Sequence, residues 1–229
     1  MATAKRILVL YYSLTGQMDR VLDAVLPRLE EEGHQVEKRR IEPVTEWELP
    51  FDPVRFYLDW AKTWAGRTLT QPLRPLDLSG TDPDCILLGF QPWYLAPSIP
   101  VNSFLHSDAA SVFRGRPVVA LVTCRNRWER ALKIARDRIH ASGGRLIDSL
   151  IVQDQVSEPA NMATTYYRLM EDRAPPPGHW MARFPPFGIG DEAVEVVRDW
   201  GRDLALRLSE DRLTDRRGWR VVNGRLKLV

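Results

Sequence analysis

The stretch Arg6-Ile-Leu-Val-Leu-Tyr-Tyr12, followed directly by Ser13-Leu-Thr-Gly-Gln17, decides the fold class of this chain. Its first seven residues form an almost continuous apolar run, which is typical of a parallel strand buried on both faces. Beyond the loop, apolar residues recur at helical spacing from Val21 to Leu29, and Gly33 provides a helix stop. A strand, a short loop and an amphipathic helix together form the first half of a βαβ unit.

The same alternation of strand and helix continues along the chain. Further strands are predicted at residues 35–41, 85–90, 117–123 and 146–152, separated by segments with helical periodicity. The two purely apolar strands, 85–90 and 117–123, belong at the centre of a sheet, and the mixed strand 35–41 belongs at an edge. We therefore predict an α/β fold with a doubly wound, five-stranded parallel sheet in the order 2-1-3-4-5.

Three segments exceed what this core needs. Residues 42–80 contain six aromatic residues, so we expect part of them to form a helix packed on the sheet. Residues 153–190 contain six prolines and five aromatics, and so long a connection is usually functional or disordered. Residues 209–229 begin as a charged run and end around Asn223-Gly224, a strong hairpin signal. We predict one domain, 1–208, carrying the first two segments as long insertions, followed by a C-terminal charged segment and β-hairpin at 209–229.

Composition and charge narrow the function classes. The 229 residues carry 32 basic and 30 acidic side chains, and this balance gives no reason to expect nucleic acid as a partner. No stretch approaches the length of a membrane span, and no signal peptide precedes the first strand, so we expect a cytoplasmic protein. The four histidines do not cluster with Cys85 and Cys124 at ligand spacing, so no metal site is predicted.

The loop after the first strand has the features of a phosphate site. The hydroxyls of Ser13 and Thr15 can donate to phosphate oxygens, and Gly16 lets the backbone approach closely. The helix that follows presents unpaired N–H groups and a partial positive charge. The loop lacks the glycines of a dinucleotide fingerprint and the Gly-Lys-Ser/Thr of a Walker A loop. A strand-to-helix turn with a capping hydroxyl accounts for the same residues equally well.

Three loops of this chain resemble a known family. Tyr12-Ser-Leu-Thr-Gly-Gln17 resembles the FMN phosphate loop of flavodoxins and flavodoxin-like reductases, although Met18 replaces their final Thr. Gln91-Pro-Trp-Tyr-Leu-Ala-Pro97 resembles a segment of flavodoxin-fold NAD(P)H:quinone oxidoreductases. Thr123-Cys-Arg-Asn-Arg-Trp128 resembles a loop of the narrower group labelled dialkylresorcinol condensing enzymes, which is associated with aryl polyene or dialkylresorcinol pathways. The resemblance covers residues 5–155 and implies a flavodoxin-like fold.

This resemblance implies FMN as the cofactor, and NAD(P)H as the electron donor by fold analogy. The implied cofactor-binding residues come from the three loops: Ser13, Leu14, Thr15, Gly16 and Gln17 at the phosphate, Gln91, Pro92, Trp93, Tyr94 and Leu95 beside the isoalloxazine ring, and Thr123, Cys124, Arg125, Asn126, Arg127 and Trp128 after the fourth strand. A cation at 125 or 127 would stabilise the reduced, anionic ring. Related quinone reductases are commonly dimers, so the resemblance also implies a homodimer that uses segments 42–80 and 153–190.

The catalytic candidates lie in two places. His179 and Tyr166 belong to the Pro-rich segment 153–190, where they would close over a substrate, and Arg125 follows the fourth strand. Surface positions explain the first two equally simply, and a solvated helix start explains the arginine. Cys124 stands beside two arginines at a helix start, which lowers a thiol pKa, but no histidine is near it in the sequence.

Three functions are compatible with the sequence. The first is an FMN-dependent oxidoreductase that passes electrons from NAD(P)H to a small quinone-like or polyketide-derived aromatic acceptor. The second is a flavin-free pathway or scaffold protein of aryl polyene or dialkylresorcinol biosynthesis, which Met18 and the loop at 123–128 favour. The third is a flavodoxin-type electron carrier. Such carriers are generally shorter and acidic, so the near-neutral charge argues against this third function.

Overall fold

The computed structural model of the protein describes residues 4–156, 160–213, 218–222 and 224–229. Its strands are β1 (Arg6–Tyr11), β2 (Gln35–Arg40), β3 (Cys85–Phe90), β4 (Pro92–Trp93), β5 (Ala96–Pro97), β6 (Pro117–Cys124), β7 (Arg145–Gln153), β8 (Trp219–Val222) and β9 (Arg225–Leu228). Its helices are α1 (Gln17–Glu31), α2 (Pro53–Trp64), α3 (Ile99–Leu105), α4 (Glu129–Ala141), α5 (Ala160–Met170) and α6 (Asp191–Ser209). Short 3₁₀ turns lie at Asp108–Phe113 and Trp180–Arg183.

The main sheet has seven strands in the order β2-β1-β3-β6-β7-β8-β9. The prediction of five strands is therefore wrong in number, and the order differs from 2-1-3-4-5 by two strands added at one edge. The added strands form the C-terminal hairpin: β8 pairs parallel with β7, and β9 pairs antiparallel with β8. The reason is that β7 would otherwise present unpaired backbone groups at the sheet edge, and the hairpin pairs with them. Asn223, on which the turn prediction partly rests, lies outside the described residues.

The other strands occupy the positions predicted from their apolar or mixed composition. The two purely apolar strands, β3 and β6, are central, and the mixed strand β2 is at an edge. Along β1, successive side chains enter opposite cores, as the two-residue period of a strand requires. Ile7, Val9 and Tyr11 pack with α1 and α6 on one face, and the alternate residues pack with α3 and α4 on the other. The sheet is thus covered on both faces, which explains the continuous apolar runs.

The insertion 42–80 packs differently from the prediction. The side chains that bury themselves on the sheet are Trp47 and Phe51, which precede the helix. Helix α2 begins after Asp52, whose side chain accepts a hydrogen bond from the N–H of Arg55 at 2.6 Å. Most side chains of α2 are exposed, so the helix lies at the surface instead of forming the sheet's cover. The insertion 153–190 contains α5 and the turn Trp180–Arg183.

Candidate functional site

The three loops of the sequence prediction meet at the carboxyl edge of the sheet, which we define as the edge where β1, β3 and β6 end. The side chain of Gln91 donates to the carbonyl oxygen of Tyr12 at 2.6 Å, which ties the second loop to the first. The β3–β6 pairing sets Phe90 opposite Val122, so the residues that follow these two strands also lie side by side. In open α/β sheets, ligands bind at such an edge.

The first loop presents backbone N–H groups at the beginning of α1. Gly16 adopts a left-handed conformation with φ of 77°, and no side chain caps the helix that starts at Gln17. The N–H groups of a first helical turn have no partners within the helix, and the helix dipole adds a partial positive charge. The arrangement is suited to an anion such as a phosphate.

Four buried polar atoms in the three loops have no hydrogen-bond partner among the residues that the structure describes. They are Ser13 Oγ, Gln91 Oε1, Thr123 Oγ1 and Trp128 Nε1. A buried polar atom without a partner is costly, so natural proteins usually satisfy it with protein, water or ligand. These atoms supply two hydroxyls, a carbonyl and an N–H donor, so they fit a ligand with mixed polar groups.

Met18 does not belong to this site. Its side chain is fully buried and packs under β3, where a Cβ on Gly89 would lie 2.8 Å from the Met18 sulfur. The position that carries threonine in the resembling phosphate loops therefore faces the core here. Within the loop itself, Ser13, Thr15 and the N–H groups of the helix start are the groups available to an anion, and Arg40 lies beside it, 3.4 Å from the carbonyl oxygen of Ser13.

Trp93 stands in an aromatic cluster that adjoins the first loop. Its ring makes edge contacts with Tyr12 at 5.8 Å, with Trp47 at 5.1 Å and with Phe51 at 5.9 Å between centroids. Sequence reasoning did not place Trp47 and Phe51 in the site, although the aromatic enrichment of segment 42–80 was the available signal. Because edge contacts hold the Trp93 ring in place, it forms a preorganised wall.

The turn after Trp93 is strained. Tyr94 and Leu95 have φ values of 53° and 68°, and they connect the paired strands β4 and β5. Positive φ at both central residues is the requirement of a type I′ hairpin turn, and asparagine or glycine normally supplies it. Non-glycine residues held in this conformation are enriched at functional sites, although Asp172 and Asp211 adopt it outside the three loops. Tyr94 is further fixed by an edge contact with Phe56 at 5.1 Å.

Glu46 and Arg40 form a polar group beside the aromatic cluster that sequence reasoning also missed. The buried Tyr12 hydroxyl donates to Glu46 at 3.1 Å, and Arg40 donates to the same carboxylate at 2.7 Å. Burial, followed by the charge of Glu46, raises the pKa of Tyr12. Tyr12 therefore stays protonated at neutral pH and acts as a fixed donor to Glu46.

The loop after β6 holds Arg125 next to a buried carboxylate. Asp154 follows β7, and its N–H donates to the carbonyl oxygen of Cys124 at 2.8 Å. Burial raises the pKa of Asp154, while backbone donors and the charge of Arg125 act in the opposite direction. Burial also raises the pKa of the Cys124 thiol, which disfavours a nucleophilic thiolate. Arg127 is exposed, and its N–H donates to the side chain of Asn126 at 2.7 Å.

The insertion 153–190 crosses the carboxyl edge from one face of the sheet to the other. On one side, the N–H of Phe51 donates to the carbonyl oxygen of Leu169 in α5 at 2.7 Å. On the other side, the N–H of Ile189 donates to Gln17 Oε1 at 2.7 Å. The N–H of Gly188 donates to Asp154 at 2.9 Å, which fixes the return of the insertion to its starting point. The Gln17 side chain is thus committed to the insertion.

His179 and Tyr166 lie on this insertion. His179 Nδ1 accepts a hydrogen bond from the N–H of Met181 at 3.3 Å, and its ring contacts Tyr167 at 5.7 Å. Tyr166 is half exposed on α5. These contacts connect His179 with its own segment, so a catalytic role for either residue, or for Arg125, stays a prediction. A cavity of about 490 Å³ lies between α5 and the returning chain, where Met181, Phe184 and Phe187 provide apolar walls.

The described part of the chain contains neither a metal-binding cluster nor a membrane-spanning helix. No group of three or more histidine, cysteine, aspartate or glutamate side chains there could hold a metal ion. No helix in the described residues has the length and apolar character needed to cross a bilayer.

Comparisons with known proteins give structural neighbours only. No family model and no curated protein matches the chain. Among solved structures, a flavodoxin from the domain Archaea is similar, with 13% identity, 89% of this chain and 98% of that chain covered, and a TM-score of 0.49. A flavoprotein from Lactobacillus acidophilus in complex with FMN has 18% identity, coverage of 65% and 93%, and a TM-score of 0.48. A WrbA-like flavodoxin from Agrobacterium tumefaciens has 12% identity, coverage of 90% and 99%, and a TM-score of 0.45.

Proposed function

We propose that the protein is an FMN-dependent oxidoreductase that passes electrons from NAD(P)H to a quinone-like or polyketide-derived aromatic acceptor. The observation that carries the proposal is the set of four unsatisfied buried polar atoms at the carboxyl edge, next to the uncapped start of α1. FMN has a phosphate for the helix start and a polar ring edge for buried donors and acceptors. Bound FMN would supply the two-electron chemistry of the reaction.

Residues of the three loops would bind different parts of FMN. Ser13, Thr15 and the N–H groups that follow Gly16 would hold the phosphate. Gln91 and Thr123 would bind polar atoms of the ring system, and the walls would come from Trp93, Tyr94 and Trp128. Arg125 would place positive charge near the ring, which favours its reduced, anionic form.

The acceptor class follows from the surroundings of the site. The aromatic cluster around Trp93 favours a flat, poorly hydrated acceptor over a charged one. The insertion, held by Gln17 and Asp154, would limit water at the reacting edge. His179 and Tyr166 are the side chains of the insertion that we propose for contact with the acceptor.

A flavin-free binding or scaffold protein is the second candidate. Two observations favour it: Met18 faces the core instead of the loop, and the Gln17 side chain is engaged by Ile189. The near-neutral net charge of +2 favours both candidates over a flavodoxin-type carrier.

The first test is the absorption spectrum of the purified protein, followed by titration of the apoprotein with FMN. A flavin spectrum, or tight reconstitution, supports the proposal, and a protein that cannot be reconstituted contradicts it. Anaerobic mixing with NADH or NADPH then shows whether the flavin is reduced, and added quinones show whether it is reoxidised. If neither nucleotide reduces the flavin, the oxidoreductase proposal is contradicted, whereas a flavodoxin-type electron carrier stays compatible with the result.

A matched pair of variants tests the site itself. Thr123→Val removes an unsatisfied buried hydroxyl at the carboxyl edge, and Thr165→Val removes another one on α5. One lost hydrogen bond of about 1 kcal/mol weakens FMN binding roughly fivefold. We expect this loss for Thr123→Val and an unchanged dissociation constant for Thr165→Val. Equal effects of the two substitutions would contradict the assignment of Thr123 to the ligand.

A further inference from the structure

The long insertion after β7 returns to the fold across the first turn of α1. We call residues 186–190 the return segment. The N–H of Ile189 donates to Gln17 Oε1 at 2.7 Å, and the guanidinium of Arg20 donates to the carbonyl oxygen of Ile189. Arg20 also pairs with Asp191, the first residue of α6, at 2.6 Å. Because Gln17 and Arg20 are three positions apart, the return segment rests on one side of the helix start.

Gly188 allows this close contact. Its φ is 115°, a conformation that side chains rarely adopt, and a Cβ built on it would lie 2.6 Å from Gln17 Cδ. Its N–H donates to Asp154 at 2.9 Å, and the other carboxylate oxygen of Asp154 accepts from the N–H of Val156 at 2.8 Å. One buried carboxylate therefore fastens both ends of the insertion. A side chain at position 188 would displace the Gln17 amide from its contact with Ile189.

Gln17 can bind two partners, one through its side chain and one through its backbone. The side chain is occupied by Ile189. The first intrahelical bond of α1 runs from the N–H of Arg20 to the carbonyl oxygen of Gly16, at 3.1 Å, so the N–H of Gln17 has no partner within the helix. In the loop before it, Ser13 is 8% exposed, and its Oγ has no partner in the part of the chain that the structure describes. An anion at this loop and the return segment would therefore contact Gln17 from different sides.

We infer that anion binding at the start of α1 and docking of the return segment are cooperative, and that Gln17 is the positioning residue that couples them. An anion held by the N–H groups fixes the backbone of the first turn. This removes conformational freedom that docking of the return segment would otherwise have to remove. The coupling acts equally in both directions, because it is a free energy shared by the two binding events.

The consequence is a form of regulation at the carboxyl edge. An empty loop leaves the insertion easier to release, and an occupied loop fastens it across the edge. The identity of the anion as the phosphate of FMN rests on the proposed function, whereas the coupling itself requires only an anion at the helix start.

The test is hydrogen exchange of the full-length protein, measured by mass spectrometry. The peptide that contains Gly188 and Ile189 reports the opening of their N–H bonds, and β9 is the reference. The protein is compared in chloride, in inorganic phosphate of equal ionic strength, with FMN, and with riboflavin, which has the same ring and no phosphate. We expect saturating FMN or phosphate to slow exchange of the return segment roughly fivefold, the equivalent of one hydrogen bond. Riboflavin should not slow it, and β9 should not respond to any addition.

Gly188→Ala tests the contact, and Gly178→Ala is its matched control. Gly178 lies on the same insertion with φ of 82°, and a Cβ built there meets nothing within 4 Å. Both substitutions strain the backbone, but only Gly188→Ala displaces the Gln17 amide. We expect Gly188→Ala to bind FMN roughly fivefold more weakly and riboflavin like the wild type. Gly178→Ala should bind both like the wild type, and a general loss of stability would instead weaken both ligands.

A second pair of variants serves if Gly188→Ala does not fold. Gln17→Leu removes the acceptor of the Ile189 N–H and keeps a good helix former at the start of α1. Its matched control, Gln155→Leu, removes another bond to the return segment, from Gln155 Nε2 to the carbonyl oxygen of Pro186 at 2.8 Å. FMN should slow exchange of the return segment in Gln155→Leu as in the wild type, and it should have no such effect in Gln17→Leu.

Several results would overturn the inference. If FMN binds but protects the return segment no better than riboflavin does, the coupling is absent while the proposed function stands. Equal FMN affinities of Gly188→Ala and Gly178→Ala, or a full response to FMN in Gln17→Leu, would show that Gln17 does not carry the coupling. If FMN does not bind, the proposed function fails and the phosphate sample decides. Slower exchange in phosphate then supports coupling to an anion, and unchanged exchange refutes it.

Discussion

Replacing Gly16 with alanine separates the strain of the first loop from its role in binding. Gly16 has φ of 77°, and a Cβ built there meets no other atom within 4 Å. Strain, not collision, therefore sets the energetic effect, and a residue with a Cβ loses about 1–2 kcal/mol in this conformation. For a chain of this size, each kcal/mol lowers Tm by about 2–4 °C. We expect Gly16→Ala to melt about 2–8 °C below the wild type.

The matched control is Gly33→Ala. Gly33 follows the end of α1 with φ of 88°, and its Cβ would also meet nothing within 4 Å. The two substitutions should thus reduce the free energy of unfolding by similar amounts. Only Gly16 precedes the N–H groups that would hold a phosphate. A change in its backbone angle turns at least one charge-assisted hydrogen bond away from the ligand. Such a bond is worth about 1.5–3 kcal/mol, or roughly 10- to 160-fold in affinity.

The assay is a fluorescence titration of each apoprotein with FMN, well below the melting temperature of both variants. We expect the dissociation constant to rise roughly tenfold or more for Gly16→Ala and to stay near the wild-type value for Gly33→Ala. Unchanged affinity in Gly16→Ala would refute the phosphate assignment. An equal loss in both variants would show that general destabilisation, and not the loop, controls binding.

Three further predictions concern buried charge. Arg207→Ala removes the guanidinium that lies 2.8 Å from the buried Asp148. Urea denaturation should therefore show that the free energy of unfolding falls by about 3–5 kcal/mol. Asp203→Ala removes the other carboxylate partner of Arg207, which is 57% exposed, and should lower the free energy of unfolding by about 1 kcal/mol or less. A larger loss for Asp203→Ala than for Arg207→Ala would contradict this reasoning. Burial raises the pKa of Cys124, so a thiol reagent at about pH 8 should modify it only slowly before unfolding, and rapid labelling of the native protein would argue against this. Burial raises the pKa of Asp154 above its ordinary 3.8, so the folded state binds this proton more tightly than the unfolded state. The wild type should therefore lose stability relative to Asp154→Asn as pH rises above about 4. Chemical denaturation of both proteins at several pH values measures this. A stability difference between them that does not change with pH would show that the carboxylate does not titrate in this way.

The positions of the strands could be predicted because a strand buried on both faces consists of an uninterrupted run of apolar residues. The runs at 85–90 and 117–123 contain no alternation, and both are central strands. The position of the C-terminal hairpin was not predictable in the same way. Its Asn-Gly signal is local, whereas its pairing with β7 depends on which sheet edge is free after the chain has folded.

The carboxyl-edge loops were identified from local residue types, but their neighbours were not. Trp47 and Phe51 contact Trp93 across more than forty positions of sequence, and aromatic enrichment alone did not indicate which of six rings would turn inward. The prediction that a helix of segment 42–80 packs on the sheet was only partly right, because α2 forms but packs against this core mainly through Phe56. The residues preceding α2 occupy that place, and the helix is left with its apolar side exposed.

By itself, the sequence determined the alternating α/β plan, the central and edge strands, and the three loops where a ligand would bind. These follow from period, apolar content and turn residues, which act over a few neighbouring positions. Only the tertiary structure decided that Gln17 holds the returning insertion, that Met18 faces the core, and that α2 presents its aromatic side to the outside. Each of these depends on contacts between segments that are distant in sequence. Which side chains meet in a close-packed interior is decided only when the whole chain has folded.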